Sequence, residues 1–340
     1  MKNPNKRSVF IPLFQRGWHT RAVLEGVYAH FQPEAIHIAT LPEEIEALSY
    51  AVNSWDCGPV VFHNEEYFFG EGTLSKAALC RRIESLPKLY QPGWFYQQML
   101  KLGCQESIPE LNDWTLIWDS DLIPVKGWDS EIDGTPAFAL LQHNSKGNPT
   151  IVNAWETWIN DLVGVPALKD PDGTFIPHHM WFPREPLGKL LQKWERDFDA
   201  PWQIGLIDQL TKYETFSEFW IVASWLASKY PECIAYHPYS VAGETTERFF
   251  DDGRGRFSCS FKEWYTRARA GDFPEYPSYS DLLEFTTSKY HETGDTLPSS
   301  LSLEASTRHI KKEEANRHLE EIRSRWLVRP ADADELGLSI

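Results

Sequence analysis

Two aspartates, Asp119 and Asp121, close the stretch Asn112-Asp113-Trp114-Thr115-Leu116-Ile117-Trp118-Asp119-Ser120-Asp121-Leu122-Ile123-Pro124, where an apolar run of strand character leads directly into them. In an open α/β sheet, ligands bind just beyond the carboxyl ends of the strands, so carboxylates placed there face a crevice and not the core. Their hard oxygens suit Mg²⁺ or Mn²⁺, ions commonly held by one or two carboxylates together with the phosphates of a substrate. The chemistry this pair predicts is metal-assisted diphosphate chemistry.

Spacing alone does not single the pair out. Asp-x-Asp recurs at Asp170 and Asp172, at Asp197 and Asp199, and at Asp332 and Asp334. These read as a Pro-Gly turn, the exposed end of a helix and a solvated tail. Only Asp119 and Asp121 follow aromatic and β-branched residues; the plain alternative for them is an acidic turn after a buried strand.

The chain has 340 residues, which suits one large α/β domain, alone or with a helical appendage. Its net charge of −16 argues against nucleic acid or an anionic membrane as main partner, because phosphate-backbone binding rests on clustered Lys and Arg. A nucleotide remains accessible through a metal and backbone amides. The five cysteines are scattered, with no C-x-x-C spacing, and so read as reduced thiols of a cytoplasmic protein. The apolar run Val9 to Phe14 is too short for a signal or a membrane span, and no other stretch is long enough. The 15 tryptophans read mainly as core, with stacking on sugar rings as the sharper alternative.

The elements that must position the acidic pair follow from hydrophobic periodicity. Ser8 to Phe14 reads as a strand, Trp18 to Phe31 as a helix and Ala35 to Ala39 as a second strand, a βαβ opening that implies parallel pairing. Helices are expected over Pro42 to Asn53, Ser75 to Leu86 and Trp94 to Leu102, with Val60 to His63 as a strand between the first two. Beyond the aspartates, strands are expected at Ala137 to Leu141 and Thr174 to Ile176, the latter ending in a Pro177-His178-His179-Met180 turn. Helices then cover Leu187 to Phe198 and Phe216 to Ser228, and a late strand runs from Cys233 to Tyr236. This divides the chain into an α/β domain, 1–275, with a mixed, mostly parallel sheet flanked by helices, and an extension, 276–340. The extension is expected to be loop-rich, with a charged amphipathic helix from Leu303 to Leu327.

With this layout the chain resembles GT-A-type glycosyltransferases, which use nucleotide-diphosphate sugars. Four blocks in order, Pro92 to Leu102, Trp118-Asp119-Ser120-Asp121, His178-His179-Met180 and Phe216-Ser217-Glu218-Phe219, are similar to an uncharacterised bacterial glycosyltransferase-like family, over roughly Ser8 to Phe257. The last block departs from that family's Ser-Glu-Tyr-Glu, since Phe219 and Trp220 stand in its third and fourth places. Glu218 is the acid that transfers.

The resemblance implies Mn²⁺ or Mg²⁺, a nucleotide-diphosphate sugar donor and a carbohydrate or other hydroxyl acceptor. It implies that Asp121 coordinates the ion directly, that Asp119 contacts the ribose or a ligating water, and that His237 is a third ligand, against the alternative of a strand-end histidine. His178 and His179 are candidates for the sugar hydroxyls or the diphosphate. Glu218 is either a general base or, with Ser217, ordinary helix-cap chemistry; Asp208 is a second candidate base. Gln97, Gln98 and Lys101 either read the nucleotide sugar or form the solvated side of a helix, and Phe14, Gln15 and Arg16 sit where the base would bind. A sugar-phosphate nucleotidyltransferase would want a Gly-rich loop after the first strand, where Pro12-Leu13-Phe14-Gln15-Arg16-Gly17 supplies one glycine. A non-catalytic carbohydrate-binding protein would have no reason to keep both carboxylates.

Overall fold

The first strand, β1 (Ser8–Pro12), is buried along its whole length, as a strand covered on both faces must be when no position is left for water. The computed structural model describes residues 7–86, 91–127, 130–142, 149–213, 215–236, 238–239, 246–250, 276–294 and 296–304. After β1 come α1 (Thr20–Phe31), β2 (Ala35–Thr40), α2 (Pro42–Ala51), β3 (Val60–Asn64), α3 (Lys76–Glu84), α4 (Pro92–Ser107), β4 (Trp114–Trp118) and β5 (Leu122–Pro124). The middle of the chain holds β6 (Glu131–Ile132), β7 (Thr135–Phe138), β8 (Leu141–Gln142), α5 (Pro149–Trp158), β9 (Gly173–Thr174) and β10 (His179–Pro183). Then follow α6 (Arg184–Phe198), α7 (Trp202–Tyr213), α8 (Glu218–Lys229), β11 (Ala235–Tyr236), β12 (Thr246–Phe250), α9 (Tyr279–Thr293) and β13 (Ser300–Glu304).

The central sheet has the order β10-β4-β1-β2-β3, in which only β10 runs antiparallel. This is the mixed, mostly parallel α/β sheet that the sequence predicts. α8 is buried all round from Glu218 to Leu226, which explains why its sequence carries no polar stripe. No helix among the described residues is long and apolar enough to cross a membrane.

Three expectations change. His178-His179-Met180 is not a turn after a strand: His179 and Met180 open β10, paired with Trp118 and Ile117 of β4. The stretch after Tyr276, read as loop-rich, contains α9. That helix buries little besides Leu282, Thr286 and Tyr290, too sparse an apolar set to declare itself, and Ser278 caps it by accepting from the Asp281 N–H at 3.2 Å. Leu303 and Glu304, expected to open a helix, belong to β13; the rest of that expected helix lies outside the described residues.

These late elements pack on the first half of the chain. β13 pairs antiparallel with β5, Ser302 opposite Leu122. Glu25 on α1 accepts from the Tyr279 N–H at 2.8 Å, and the Tyr279 hydroxyl meets His30 Nε2 at 2.7 Å. Gly26 permits this approach, because a Cβ there would lie 2.9 Å from Pro124 Cγ and 3.0 Å from the Tyr279 ring.

Candidate functional site

The acidic pair sits in a tight turn at the end of β4. The Leu122 N–H donates to the Asp119 carbonyl at 3.1 Å, and the Trp118 indole N–H donates to the Leu122 carbonyl at 2.8 Å, so Asp119-Ser120-Asp121-Leu122 is closed at both levels. Aspartate is favoured at the first position of such a turn. β1 lies parallel beside β4, with Ser8 opposite Thr115 and Phe10 opposite Ile117. The carboxyl ends of β1 and β4 therefore share one edge of the sheet, and Gln97 reaches that edge by donating to the Pro12 carbonyl at 3.4 Å.

α4 presents a polar stripe, Gln98, Lys101 and Gln105, on its buried face, at i, i+3 and i+7. Gln105 fastens the base of β4, donating to Thr115 Oγ1 and to the Phe182 carbonyl, each at 3.1 Å. Lys101 works at the other end. Its ammonium, on a side chain 2% exposed, forms ion pairs with Asp119 Oδ1 and with Glu218 Oε1, the latter at 2.6 Å. It also lies 4.5 Å from the centroid of the Phe219 ring. With its amide nitrogen turned toward Glu218, Gln98 donates to the same carboxylate. Glu218 thus stands at the first turn of α8 as an anchor for Lys101, while Ser217 caps the helix, accepting from the Trp220 N–H at 3.4 Å.

The electrostatics follow from three charged groups taken out of water together. Burial alone would raise the Asp119 carboxyl, but Lys101 and His178 outweigh it and hold it down at about 2. Burial would lower the Lys101 ammonium; the two carboxylates raise it instead. Burial pushes the Glu218 carboxyl up, against the pull of Lys101. One lysine facing two carboxylates leaves the two acids with opposite shifts, and Asp119 is the one kept ionised.

The antiparallel β10 delivers the histidines. The Asp119 N–H donates to the His178 carbonyl at 2.9 Å, and His178 Nδ1 lies 3.0 Å from Asp119 Oδ2. His179 is buried, its ring stacked on Trp118 with centroids 4.9 Å apart. Of the two histidines, His178 faces the acidic turn and His179 packs in the core.

The other expected site residues divide. Asp121 is half-buried in the turn, next to β5. Phe14, 47% exposed, and the half-buried Gln15 lie just past β1, and the Lys76 ammonium is 5.2 Å from the Phe14 centroid. Arg16 is buried and engaged by Glu44, with Nη1 to Oε2 at 3.1 Å. Gln98 and Lys101 are buried, which removes the solvated-face alternative for them. Asp208 is not brought to this turn: it lies on exposed α7 surface, gripped by Arg82 of α3 through two bonds of 2.8 Å. His237 lies outside the described residues. The sequence reading missed Gln105, Glu44 and the pairing of Glu218 with Lys101. The one signal for the last was a lysine on a helix whose neighbours Tyr96, Met99, Leu100 and Leu102 are all apolar.

A divalent ion fits this donor set, since Asp121 offers carboxylate oxygens at a partly exposed strand end beside a carboxylate kept ionised. Among the described residues no three His, Cys, Asp or Glu side chains are grouped to hold an ion. A bound ion would therefore take much of its shell from water and substrate oxygens, as Mg²⁺ and Mn²⁺ do with phosphates.

No family model and no curated protein matches the chain. Among solved structures it is similar to the apo form of mouse xyloside xylosyltransferase 1, at 12% identity and TM-score 0.40, over 80% of this chain and 96% of that one. It is similar to the galactosyltransferase LgtC in complex with donor and acceptor sugar analogues, at 11% identity and TM-score 0.38, over 96% and 99%. A third is core-mannan synthase A from Aspergillus fumigatus in its Mn/GDP form, at 7% identity and TM-score 0.42, over 68% and 72%. These neighbours are glycosyltransferases of the GT-A type that the sequence resembles. At TM-scores below 0.5 none of them transfers a residue role or a substrate to this chain.

Proposed function

We propose that the chain is a divalent-metal-dependent glycosyltransferase that moves a sugar from a nucleotide-diphosphate donor to an acceptor hydroxyl. The observation that carries this reading is the acidic turn at the end of β4, lying beside the end of β1 and fixed from behind by Lys101 and His178. Asp121 holds the ion directly, and Asp119 supports it from the buried side. When bound, the ion supplies positive charge that stabilises the leaving nucleoside diphosphate.

The remaining roles fall to this chain's own groups. Phe14 and Gln15, at the mouth of β1, take the base, with Arg16 held behind them by Glu44. Lys101 keeps Asp119 ionised and in place, and Glu218 keeps Lys101 in place. In this reading Glu218 positions; a general-base role would require it to exchange Lys101 for an acceptor hydroxyl. Incubating the purified chain with Mn²⁺ and a panel of nucleotide sugars, and following nucleoside diphosphate release, tests the proposal. Release that needs metal and a particular donor supports it; no release from any donor, with no metal-dependent nucleotide binding, refutes it.

A further inference from the structure

Away from the turn after β4, the described residues line an open cleft of about 720 Å³ along α1. Arg21, Glu25, Tyr28, Ala29 and Gln32 form one side of it, at i, i+4, i+7, i+8 and i+11, which is a single face of the helix and its cap over roughly 16 Å. The other side comes from two separate places: Asp56, in the segment before β3, and Ser278 to Ser280 at the start of α9. None of these residues has a part in the acidic turn or in the loop after β1.

Glu25 ties the sides together. Its carboxylate, on a residue 6% exposed, accepts from Arg21 Nε at 2.6 Å, from the Asp56 N–H at 3.2 Å and from the Tyr279 N–H at 2.8 Å. One buried charge thus holds α1, the segment before β3 and α9 in place, so the cleft is formed before any ligand arrives. Tyr28 is fixed as well. A Cβ on Gly58, whose φ is 66°, would overlap the Tyr28 ring, so the ring rests on bare backbone there.

What the cleft leaves uncommitted defines its ligand. The exposed Asp56 carboxylate, the Tyr28 hydroxyl and the Gln32 side-chain amide make no hydrogen bond or ion pair among the described residues. A carboxylate only accepts, while a phenol and an amide both donate and accept. Arg21 is offset by Glu25, which leaves Asp56 as the net charge and disfavours a phosphate or other anion. Groups that give and take hydrogen bonds beside an aromatic ring match a ligand rich in hydroxyls with apolar C–H faces. An extent of roughly 16 Å calls for several linked units of it. We propose that this cleft binds a neutral oligosaccharide along α1, with Asp56 and Gln32 bonding its hydroxyls and Tyr28 packing against a sugar ring. This goes beyond the metal-dependent reading and does not rest on it, since neither donor nor ion takes part.

The test mixes the full chain, without metal or nucleotide, with linear neutral hexasaccharides of glucose, mannose, galactose and N-acetylglucosamine. An oligogalacturonate of the same length and spermidine serve as charged controls. Saturation-transfer NMR detects binding and calorimetry gives the Kd. At least one neutral chain is expected to bind, and more tightly than either control. Asp56→Ala should weaken it about 10-fold and Tyr28→Phe roughly 5-fold, the usual worth of a hydrogen bond to a charged and to a neutral group. Ala29→Arg, which fills the cleft from an exposed helix position, should weaken it about 10-fold or more. Melting temperatures of the three variants close to that of wild type show that the losses are local; Asp56 and Ala29 are exposed, so their replacement leaves the core untouched. No binding by any of the four neutral chains, tighter binding of either charged control, or neutral-chain binding unchanged in Ala29→Arg and Asp56→Ala overturns the assignment. Because ion and donor are absent, any of these results leaves the metal-dependent reading to be judged by its own assay.

Discussion

Replacing Lys101 with methionine keeps most of the length of its buried side chain and deletes the ammonium, which lies 4.5 Å from the Phe219 ring centroid. It strands two carboxylates in a space where Lys101 and Glu218 are 2% and 3% exposed. Breaking a buried ion pair from one side typically costs 3–5 kcal/mol. Here the lower end applies, because Glu218, already pushed up by burial, can take a proton, and Asp119 keeps His178. Lys101→Met should therefore lose about 3 kcal/mol near neutral pH, a fall in Tm on the order of 4 °C for a chain of 340 residues. Adding Glu218→Gln should recover part of the loss, with a coupling of about 1–3 kcal/mol, because the neutral amide needs no counter-charge. Urea unfolding of wild type, both single variants and the double variant measures this directly. A Lys101→Met stability within about 0.5 kcal/mol of wild type, or strict additivity in the double variant, would refute the triad as the device that holds Asp119.

Asp121→Ala should abolish nucleoside diphosphate release and metal-dependent nucleotide binding while leaving Tm nearly unchanged, since a partly exposed turn carboxylate contributes little to the core; calorimetry with and without Mn²⁺ checks it. Glu218→Gln should lower stability and leave turnover within a few-fold of wild type; a fully stable variant with turnover down roughly 10²-fold at unchanged KM would make Glu218 the general base instead. Asp119, depressed from 3.8 to about 2, stabilises the fold above its ordinary range, and that contribution, about 2 kcal/mol, is lost as pH falls through about 2; Asp119→Asn should flatten the acid limb of an unfolding-versus-pH curve of the metal-free protein. Gly26→Val should cost roughly 1–3 kcal/mol by forcing α1 away from Pro124 and Tyr279, measurable as a lower urea midpoint.

The parts of the fold that were legible are those whose partners lie close in sequence or whose period is strong. β1, α1 and β2 announce themselves by an apolar run, a helical stripe and a second run, and the strand before Asp119 does so by its aromatic and β-branched residues. The acidic turn was legible for the same reason. β10 was not, because it opens on His179 straight after Pro177 and His178, a stretch of no strong strand propensity, and what makes it a strand is β4, some sixty positions earlier in the chain. The error mattered for chemistry: read as a turn, His178 and His179 were equivalent, whereas pairing with Trp118 sends His179 into the core and leaves His178 beside Asp119. β13 was hidden likewise, since its five residues gain their identity from β5 and β12.

Lys101 shows where sequence reasoning stopped short of a conclusion it had the means to reach. Beside Gln97 and Gln98 it looks like the wet side of an amphipathic helix, but the run Tyr96, Met99, Leu100, Leu102 around it leaves that turn of α4 no wet side. A helix of this kind is buried all round, and a lysine inside it must meet an acid, because an unpaired ammonium in such a place would give up its proton. Among the described residues one helix, α8, is equally apolar and opens with a carboxylate, Glu218. A lone base in one buried helix and a lone acid in another argue for each other across 117 positions, with no alignment needed. What the sequence does not state is that one ammonium serves two acids. That follows from the turn after β4, which swings Asp119 to the same cation, and it is this cation together with His178 that keeps Asp119 charged.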